Sequence, residues 1–462
     1  MISIGALPDD VLLNIFDINL HEDLHPEELT RAWQSLIHVC RRWRSVVFGS
    51  PRRLDLRLSC TPMTRSRDRL DTWPTLPLII DGSGVYTTRS LDNLVAALKC
   101  SDRVCQINLM ISDTLKREMY LAAMQQPFPE LTHLDLWCDD ETVVFPDSFL
   151  GGFTPRLKSL WLQGIPYPGI LKLLLSATHL TTLLLQSVPH SGYFSPDTMA
   201  AALSMLTNLE RLSLRFKSPE SCPDLETRRL PPSTRSVLPV LEYFEFKGVS
   251  EYLEDLLTDI DAPQLNSLLI TFFNDVVFDT PQSIQFIRRT PISSALENVH
   301  LTLWDGVARV IFLNSSVKLE VSILCEELDW QLSFLEQVCT SCLQFLSMLK
   351  DLYIYEHALS KANWKVKIEH RVCLGLLHPF TTVENLYISE KIALVIGPAL
   401  QELVEGRTTE ALPALENVFL EGLESSGHVQ NGIGQFVAAR QVSSHPVTIS
   451  RWANFKEDRI FQ

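Results

Sequence analysis

Glycine is scarce, at 18 of 462 residues, which excludes collagen-like repeats and long Gly/Ser linkers. Positive charge is also short. Lys and Arg total 40 against 55 Asp and Glu, a formal net charge of −15. Such a chain repels phosphate backbones, so nucleic-acid binding is not expected. No apolar run is long enough to span a membrane. The nearest, Ile170 to Val188, is interrupted by Lys172, Ser176, Thr178, His179, Thr181, Thr182 and Gln186. No basic segment opens the chain, and Asp9 and Asp10 arrive before an export signal could form. The ten cysteines lie without a tight framework, which predicts reduced thiols and a cytoplasmic or nuclear location.

Signatures of chemistry are missing too. There is no G-x-S-x-G, H-E-x-x-H or Walker sequence, and Gly82-Ser-Gly84 and Gly432-Ile-Gly434 lack the rest of a phosphate-binding pattern. Cys339-Thr-Ser-Cys342 has no second pair at zinc spacing and reads as two buried thiols on one helix face. The histidines are dispersed. No catalytic residue, metal or cofactor is assigned, and a non-enzymatic protein is expected.

What is present is a folded chain: 46% hydrophobic and 21% charged residues exclude wholesale disorder. At about 150 residues per domain, its length suits three domains or one long repeat array. At the start, Leu7-Pro-Asp-Asp-Val-Leu-Leu-Asn-Ile-Phe16 opens a helix with suitable chemistry. Pro8 fits a first helical position, and Asp9 and Asp10 complement the positive helix end. Val11, Leu12, Ile15 and Phe16 form an apolar face. After the polar stretch His21 to Glu28, helical periodicity returns at Leu29, Trp33, Leu36, Ile37 and Cys40. It continues through Trp43, Val46 and Val47 until Gly49-Ser50-Pro51 stops it. A unit this small is marginal alone and needs docking or a partner.

The pairing of Leu7–Phe16 with Val39-Cys-Arg-Arg-Trp-Arg-Ser-Val-Val47 and Ser50-Pro51 resembles an F-box, and the longer connection, Asn19 to Thr30, resembles fungal, basidiomycete-type members. The resemblance covers about a tenth of the chain, residues 1–52. It implies three short helices that bind a Skp-type adaptor and, through it, a cullin scaffold and ubiquitin-transfer machinery. On matching positions it implies adaptor contact by Leu7, Pro8, Val11, Leu12, Ile15 and Phe16. Val39, Cys40 and Trp43 would join that contact or hold the helices together.

The remainder, 53–462, repeats. An L-x-x-L-x-L-like pattern starts at Leu131, Leu157, Leu180, Leu209, Leu241, Leu265 and Leu296, at intervals of 26, 23, 29, 32, 24 and 31 residues. Further copies start at Leu349, Val383 and Leu415, with an earlier one at Val104, and Pro77–Asp81 and Leu54–Leu58 are candidates to start the sheet. Val317–Leu324 alternates like a strand and is assigned the rung missing between Leu296 and Leu349. Helical stretches fall between copies: Leu91–Cys100, Ile170–Ala177, Pro196–Leu206, Glu251–Ile260, Ser283–Arg289, Leu332–Phe345 and Leu394–Gly406. Strand then helix, repeated, predicts an α/β fold: an irregular leucine-rich-repeat solenoid with a curved parallel sheet. It is similar to the leucine-rich-repeat class of F-box proteins, but lacks the usual Asn or Cys after the last leucine. Asp139, Ile165, Val188, Lys217 and Val249 stand there instead. The Pro- and charge-rich 217–239 reads as a projecting loop.

Strand alternation puts the residues between the leucines on the opposite, concave face. Candidates for holding a target protein there are Trp137 and Trp161, Arg211 and Arg215, and a second aromatic group of Tyr353, Tyr355, Tyr387 and Phe419. Aromatic and arginine side chains are common interface anchors. Arg451 to Gln462, with Trp452 and Phe455, is a candidate tail over that group. The implied role is the substrate-recognition subunit of a Skp–cullin–F-box ubiquitin ligase with an unidentified target. The alternative is a leucine-rich-repeat interaction scaffold without that role.

Overall fold

The structure is a computed structural model. It describes residues 7–20, 26–51, 53–62, 70–71, 73, 76–82, 88–111, 114–138, 144–221, 235–273, 280–294, 296–304, 306–342, 349–356, 370–404, 407–421 and 429–452. The chain divides into two compact units, Met1–Phe194 and Ser195–Gln462.

The first unit opens with α1 (Asp9–Leu20), α2 (Pro26–Val39) and α3 (Arg41–Gly49). The long periodic stretch is broken at Cys40, whose extended backbone caps α3 while its Sγ accepts a bond from the Trp43 N–H. Arg42 ties α3 to the start of α1 by bonding the Leu7 carbonyl at 2.5 Å and Asp9 at 2.6 Å. Trp33 is fully buried, and its indole N–H donates to the Arg57 carbonyl at 2.9 Å. Its ring meets Trp73 edge-on, and Trp73 stacks on Phe48. The helices are therefore docked onto the chain on either side of the first strand, at Arg57 and Trp73, as their small size requires.

Six strands follow: β1 (Leu58–Cys60), β2 (Leu78–Gly82), β3 (Val104–Ile111), β4 (His133–Cys138), β5 (Ser159–Gln163) and β6 (Thr182–Val188). They pair in chain order and all in parallel. The helices Thr88–Leu98, Thr114–Ala123 and Ile170–Ser176 lie between them in sequence. β4, β5 and β6 are each preceded, two residues upstream, by a buried leucine: Leu131, Leu157 and Leu180. That leucine's N–H closes a tight turn, and the next N–H donates to the previous rung: Thr132 to Cys105, Lys158 to Thr132, Thr181 to Lys158, each 2.8 Å.

The second unit contains β7 (Arg211–Phe216), β8 (Ser236–Val237), β9 (Tyr243–Gly248), β10 (Ile260–Asp261), β11 (Ser267–Phe272), β12 (Asn298–Trp304), β13 (Val307–Leu313), β14 (Lys318–Leu324), β15 (Asp351–Glu356), β16 (Asn385–Ile388), β17 (Asn417–Leu420) and β18 (Thr448–Arg451). Its sheet order is β7-β9-β11-β14-β13-β12-β15-β16-β17-β18, parallel except for β13. β8 and β10 form a separate two-residue pair. Of the 217–239 segment, Pro219–Ser221 forms a short 3₁₀ turn, and 222–234 lie outside the described residues. Consecutive helices pack together: Pro196–Leu203, Ser250–Asp259 and Pro281–Arg288, then Leu328–Ser341, His370–Leu377, Glu390–Gln401 and Val429–Val442. The Glu254 carboxylate accepts the backbone N–H groups of Gln282 and Ser283 at 2.7 and 2.8 Å, capping the neighbouring helix.

Two features depart from the repeat read in the sequence. Val317–Leu324 does form a strand, but it does not follow β12 in space. It is the third strand of an antiparallel excursion, β12-β13-β14, and β14 rather than β12 adds to β11. The Asp305-Gly306 dipeptide between two apolar runs is a hairpin signature, and Gly306 has φ +77°. The second turn is made by Asn314, whose Oδ1 accepts the N–H groups of Ser316 and Val317, both at 2.8 Å. The missing Asn of the repeat is replaced by further backbone bonding. Gly164 donates to Gln186, Phe273 to Gly248, Ser389 to Ile354 and Trp452 to Leu420. At Gly164, φ is +68° and a Cβ would come within 2.1 Å of the Cys138 carbonyl oxygen, so no other residue fits this turn.

One buried cation closes the C-terminal repeats. Arg440 is fully buried, and its guanidinium donates to the carbonyls of Thr408, Leu412, Pro413 and Leu415 at 3.0–3.4 Å. Arg440→Ala should destabilise the second unit by on the order of 3 kcal/mol, because four carbonyls lose a charged donor. Arg440→Lys should restore little, since an ammonium cannot span them. Urea unfolding of both variants checks this.

Candidate functional site

The N-terminal helices carry two apolar stripes on α1. Leu12, Leu13 and Phe16 turn inward and are buried, and Phe16 packs against Trp43 with ring centroids 4.7 Å apart. Pro8, Val11, Ile15 and Ile18 lie on the outside, with Val11 and Ile15 each 40% exposed and Ile18 71% exposed. The spacing explains the split: positions 8, 11, 15 and 18 recur at three- and four-residue steps along one face, and 12, 13 and 16 occupy the adjacent one. At the α2–α3 junction Val39 is 58% exposed and Cys40 is exposed. Of the nine residues expected at an adaptor contact, Leu12 and Phe16 are therefore corrected to the interior of the helical unit. Leu7 and Trp43 are half-buried, and Trp43 serves the helix packing. Pro8, Val11, Ile15, Val39 and Cys40 are at the surface. Ile18, absent from the expected set, continues their α1 stripe.

On the strand face of the first unit, Trp137 and Trp161 meet at 5.4 Å. They do so diagonally, because the register pairs Asp135 with Trp161 and Trp137 with Gln163. The Trp137 indole N–H donates to Asp135 at 2.7 Å, and burial raises the affinity of that carboxylate for a proton. Trp137 remains exposed and Trp161 is half-buried.

The second aromatic group is a ladder. Register places His300, Tyr353, Tyr387 and Phe419 side by side on β12, β15, β16 and β17. Their rings stack at 4.3, 4.2 and 4.5 Å with planes within 10°. A polar ladder runs beside it: Asn385 donates to Asp351 at 2.7 Å, Asn417 to Asn385 at 2.8 Å and Thr448 to Asn417 at 2.6 Å. Trp452 stands edge-on to Tyr387 at 5.8 Å and near Tyr353 at 6.2 Å, so the start of the expected covering tail does lie over this group. Phe455 falls outside the described residues. Tyr355 is corrected to a buried position, edge-on to His300. The stacking consumes the ring faces, and half-buried Tyr353, Tyr387 and Phe419 retain partial exposure.

Arg211 and Arg215 lie on β7. Arg211 is exposed above the Tyr243 ring at 4.4 Å, and Arg215 is 3.5 Å from Glu245. Neighbouring charges on β9, β13 and β14, namely Glu245, Lys247, Arg309, Lys318 and Glu320, share this face by register. The signal for these residues was present in the strand alternation of their segments.

An open depression of about 620 Å³ lies between the helices Thr88–Leu98 and Thr114–Ala123, lined by Val95, Lys99, Met119 and Gln126 among others. It gathers no cluster of titratable groups. Among the described residues no group of three or more His, Cys, Asp or Glu is placed to hold a metal. Cys339 and Cys342 are both buried, and burial pushes the Cys342 thiol up to about 12, which disfavours the thiolate. No described helix is long and apolar enough to cross a membrane.

No family model matches the chain, and no curated protein matches it. Among solved structures it is similar to the leucine-rich-repeat-containing protein LegL7 from Legionella pneumophila, at 12% identity over 82% of this chain and 97% of that chain, with a TM-score of 0.27.

Two outcomes test the aromatic ladder. Tyr387→Ala removes one of the two inner rings and two stacking contacts, and should cost about 1–3 kcal/mol beyond the lost area, read by urea unfolding. Burial lowers His300 from 6.5 to about 4. Between those values the unfolded chain binds a proton that the native chain does not, so stability rises with pH. The contribution is complete above pH 6.5 and is lost as pH falls toward 4, on the order of 3 kcal/mol in all. Urea midpoints at pH 7 and 5 should differ less in His300→Phe than in the parent protein.

Proposed function

We propose that this protein is a non-enzymatic substrate-recognition subunit of a Skp–cullin–F-box ubiquitin ligase, working in the cytoplasm or nucleus. Its N-terminal helices bind a Skp-type adaptor, and a strand face holds a target protein. Ubiquitin transfer belongs to other subunits. The mechanism is tethering: holding the target near the transfer machinery raises the effective concentration of its lysines.

The observation that carries this reading is the outer stripe of α1. A helix that already buries Leu12, Leu13 and Phe16 has no folding need for Val11, Ile15 and Ile18 on its other side. Apolar residues at helical spacing on a bare face are the pattern of helix-in-groove recognition. Val39 and Cys40 add exposed surface at the α2–α3 junction, and the Arg42–Asp9 bond sets that junction against the start of α1. The strand faces add aromatic and arginine side chains of the kind that anchor protein partners.

Ile15→Asp combined with Val11→Asp should weaken binding to a Skp-type adaptor at least about 100-fold, since it places charge in an apolar contact. Both sites are exposed, so the unfolding midpoint should stay within about 0.5 kcal/mol of the parent. Leu12→Asp should instead unfold the helices. Calorimetric titration with purified adaptor and thermal denaturation separate the two. No adaptor binding by the folded parent protein would leave an interaction scaffold as the reading.

A further inference from the structure

The strand face of the second unit has a charge imbalance at its β7 end. Arg211, Arg215, Lys247, Arg309 and Lys318 face two carboxylates, Glu245 and Glu320, in a chain whose net charge is −15. Glu320 is nearly buried and takes both Arg309 and Lys318 at 3.0 Å. Glu245 meets Arg215 at 3.5 Å and also accepts the Ser213 hydroxyl at 2.8 Å and the Tyr243 hydroxyl at 3.4 Å. Its charge is already committed. Among the described residues, Arg211 and Lys247 have aromatic rings beside them, Tyr243 and Phe273, and no carboxylate at ion-pair distance.

Lys247 stands directly across from Arg215 in the ladder. Two like charges one strand spacing apart, about 4.8 Å, oppose each other unless an anion lies over both. Burial first, and then Arg215, push the Lys247 ammonium below its ordinary range. Along β7, Arg215 lies four residue steps from Arg211, about 13 Å at the usual strand rise. The face thus carries three excess charges at separate points: one at Arg211, one at the Arg215–Lys247 pair, and one at the Arg309–Lys318 pair, whose shared Glu320 is nearly buried. The first two lie on the neighbouring strands β7 and β9. The face offers no continuous basic track of the sort that a duplex, with a charge every ~1.7 Å, requires.

We propose that this face binds an acidic peptide segment of a protein partner, in extended form, with one carboxylate at Arg211 and another over the Arg215–Lys247 pair. The proposal rests on the strand face being the target-binding surface, and it is independent of the adaptor contact because it is tested without adaptor. Separate points of single excess charge fit separate carboxylates better than one phosphate, which concentrates up to two charges at a single point.

Fluorescence anisotropy with the full-length chain tests it. The probes are a labelled peptide of Glu, Asp and Ser and its Gln/Asn counterpart at low ionic strength. The acidic peptide should bind at least about tenfold more tightly, and binding should weaken with added salt. Arg215→Gln with Lys247→Gln should cost about tenfold, and Arg211→Gln, at an exposed site, a smaller loss. Lys247→Gln alone should not lower the melting temperature, because it removes a like-charge pair. Equal binding of the two peptides, or unchanged affinity in both variants, overturns the proposal. So does tighter binding of a phosphoserine peptide of equal charge, or capture of single-stranded DNA in place of the peptide. Peptide binding that persists when adaptor binding is absent would refute the ligase reading alone.

Discussion

Each repeat of this chain depends on the burial of one apolar column that it cannot cover by itself. The leading leucine, the fourth and the sixth residue of the pattern are buried within their own unit: Leu157, Leu160 and Leu162 in a rung of the first, Leu209, Leu212 and Leu214 in a rung of the second. A single strand and helix would leave that column wet. Stacking in parallel covers it, and the N–H following each leading leucine then finds its partner on the preceding rung. The backbone and the hydrophobic pattern thus enforce the same register. A one-residue slip would turn every leucine to the outside, which is why register stays regular from β3 to β6 even where repeat length varies, the shift between Leu78 and Ile79 falling at the β2–β3 edge before the leucine pattern begins.

That constraint does not dictate the alternate positions, some of which are buried (His300, Glu320) and others exposed, and they have been filled with two different chemistries. At one end of the second unit they are charged, and the charges answer one another only in part. At the other end they are rings and amides that satisfy one another rung by rung. His300 shows the cost of that second solution. It stacks at 4.3 Å on Tyr353 and stays neutral because it is buried. A ladder of this kind stiffens the sheet and spends ring faces that could otherwise have met a partner. The charged end has no such closure, so the two ends of one face differ in what they offer to another molecule.

How much of this was legible follows from which features are local. The leucine spacing is local, and every copy from Leu131 to Leu415 leads into a strand. The diagonal meeting of Trp137 and Trp161 was also within reach, since aligning Leu134 with Leu160 and Leu136 with Leu162 offsets the two indoles by one strand residue pair. The excursion through β13 was not read, because Val307–Leu313 has no leucine spacing and its antiparallel pairing is fixed by turns at both ends. The helices Thr114–Ala123, His370–Leu377 and Val429–Val442 were also passed over. Their apolar residues lie close to strong strand patterns that dominate the local reading. On α1 the apolar residues were seen, but periodicity alone did not divide them. Leu12 and Val11 are adjacent in sequence and differ only in which neighbour, core or solvent, the docked α2 and α3 leave to them.

The docking of those helices is what gives the division meaning. Trp33 commits the inner side through its bond to Arg57 and its ring contacts with Phe48 and Trp73. Arg42 holds the start of α1 through Nη2, which donates to both the Leu7 carbonyl and the Asp9 carboxylate, and through Nε, which donates to the same carboxylate. With both sides of the small module fixed in this way, α1 cannot roll to bury Val11, Ile15 and Ile18 without surrendering Leu12 and Phe16. The exposed stripe is therefore a consequence of tertiary docking rather than of a loosely packed end. Val11, Ile15 and Ile18 thus keep apolar area in water, at a cost in hydration that repacking within the module cannot recover.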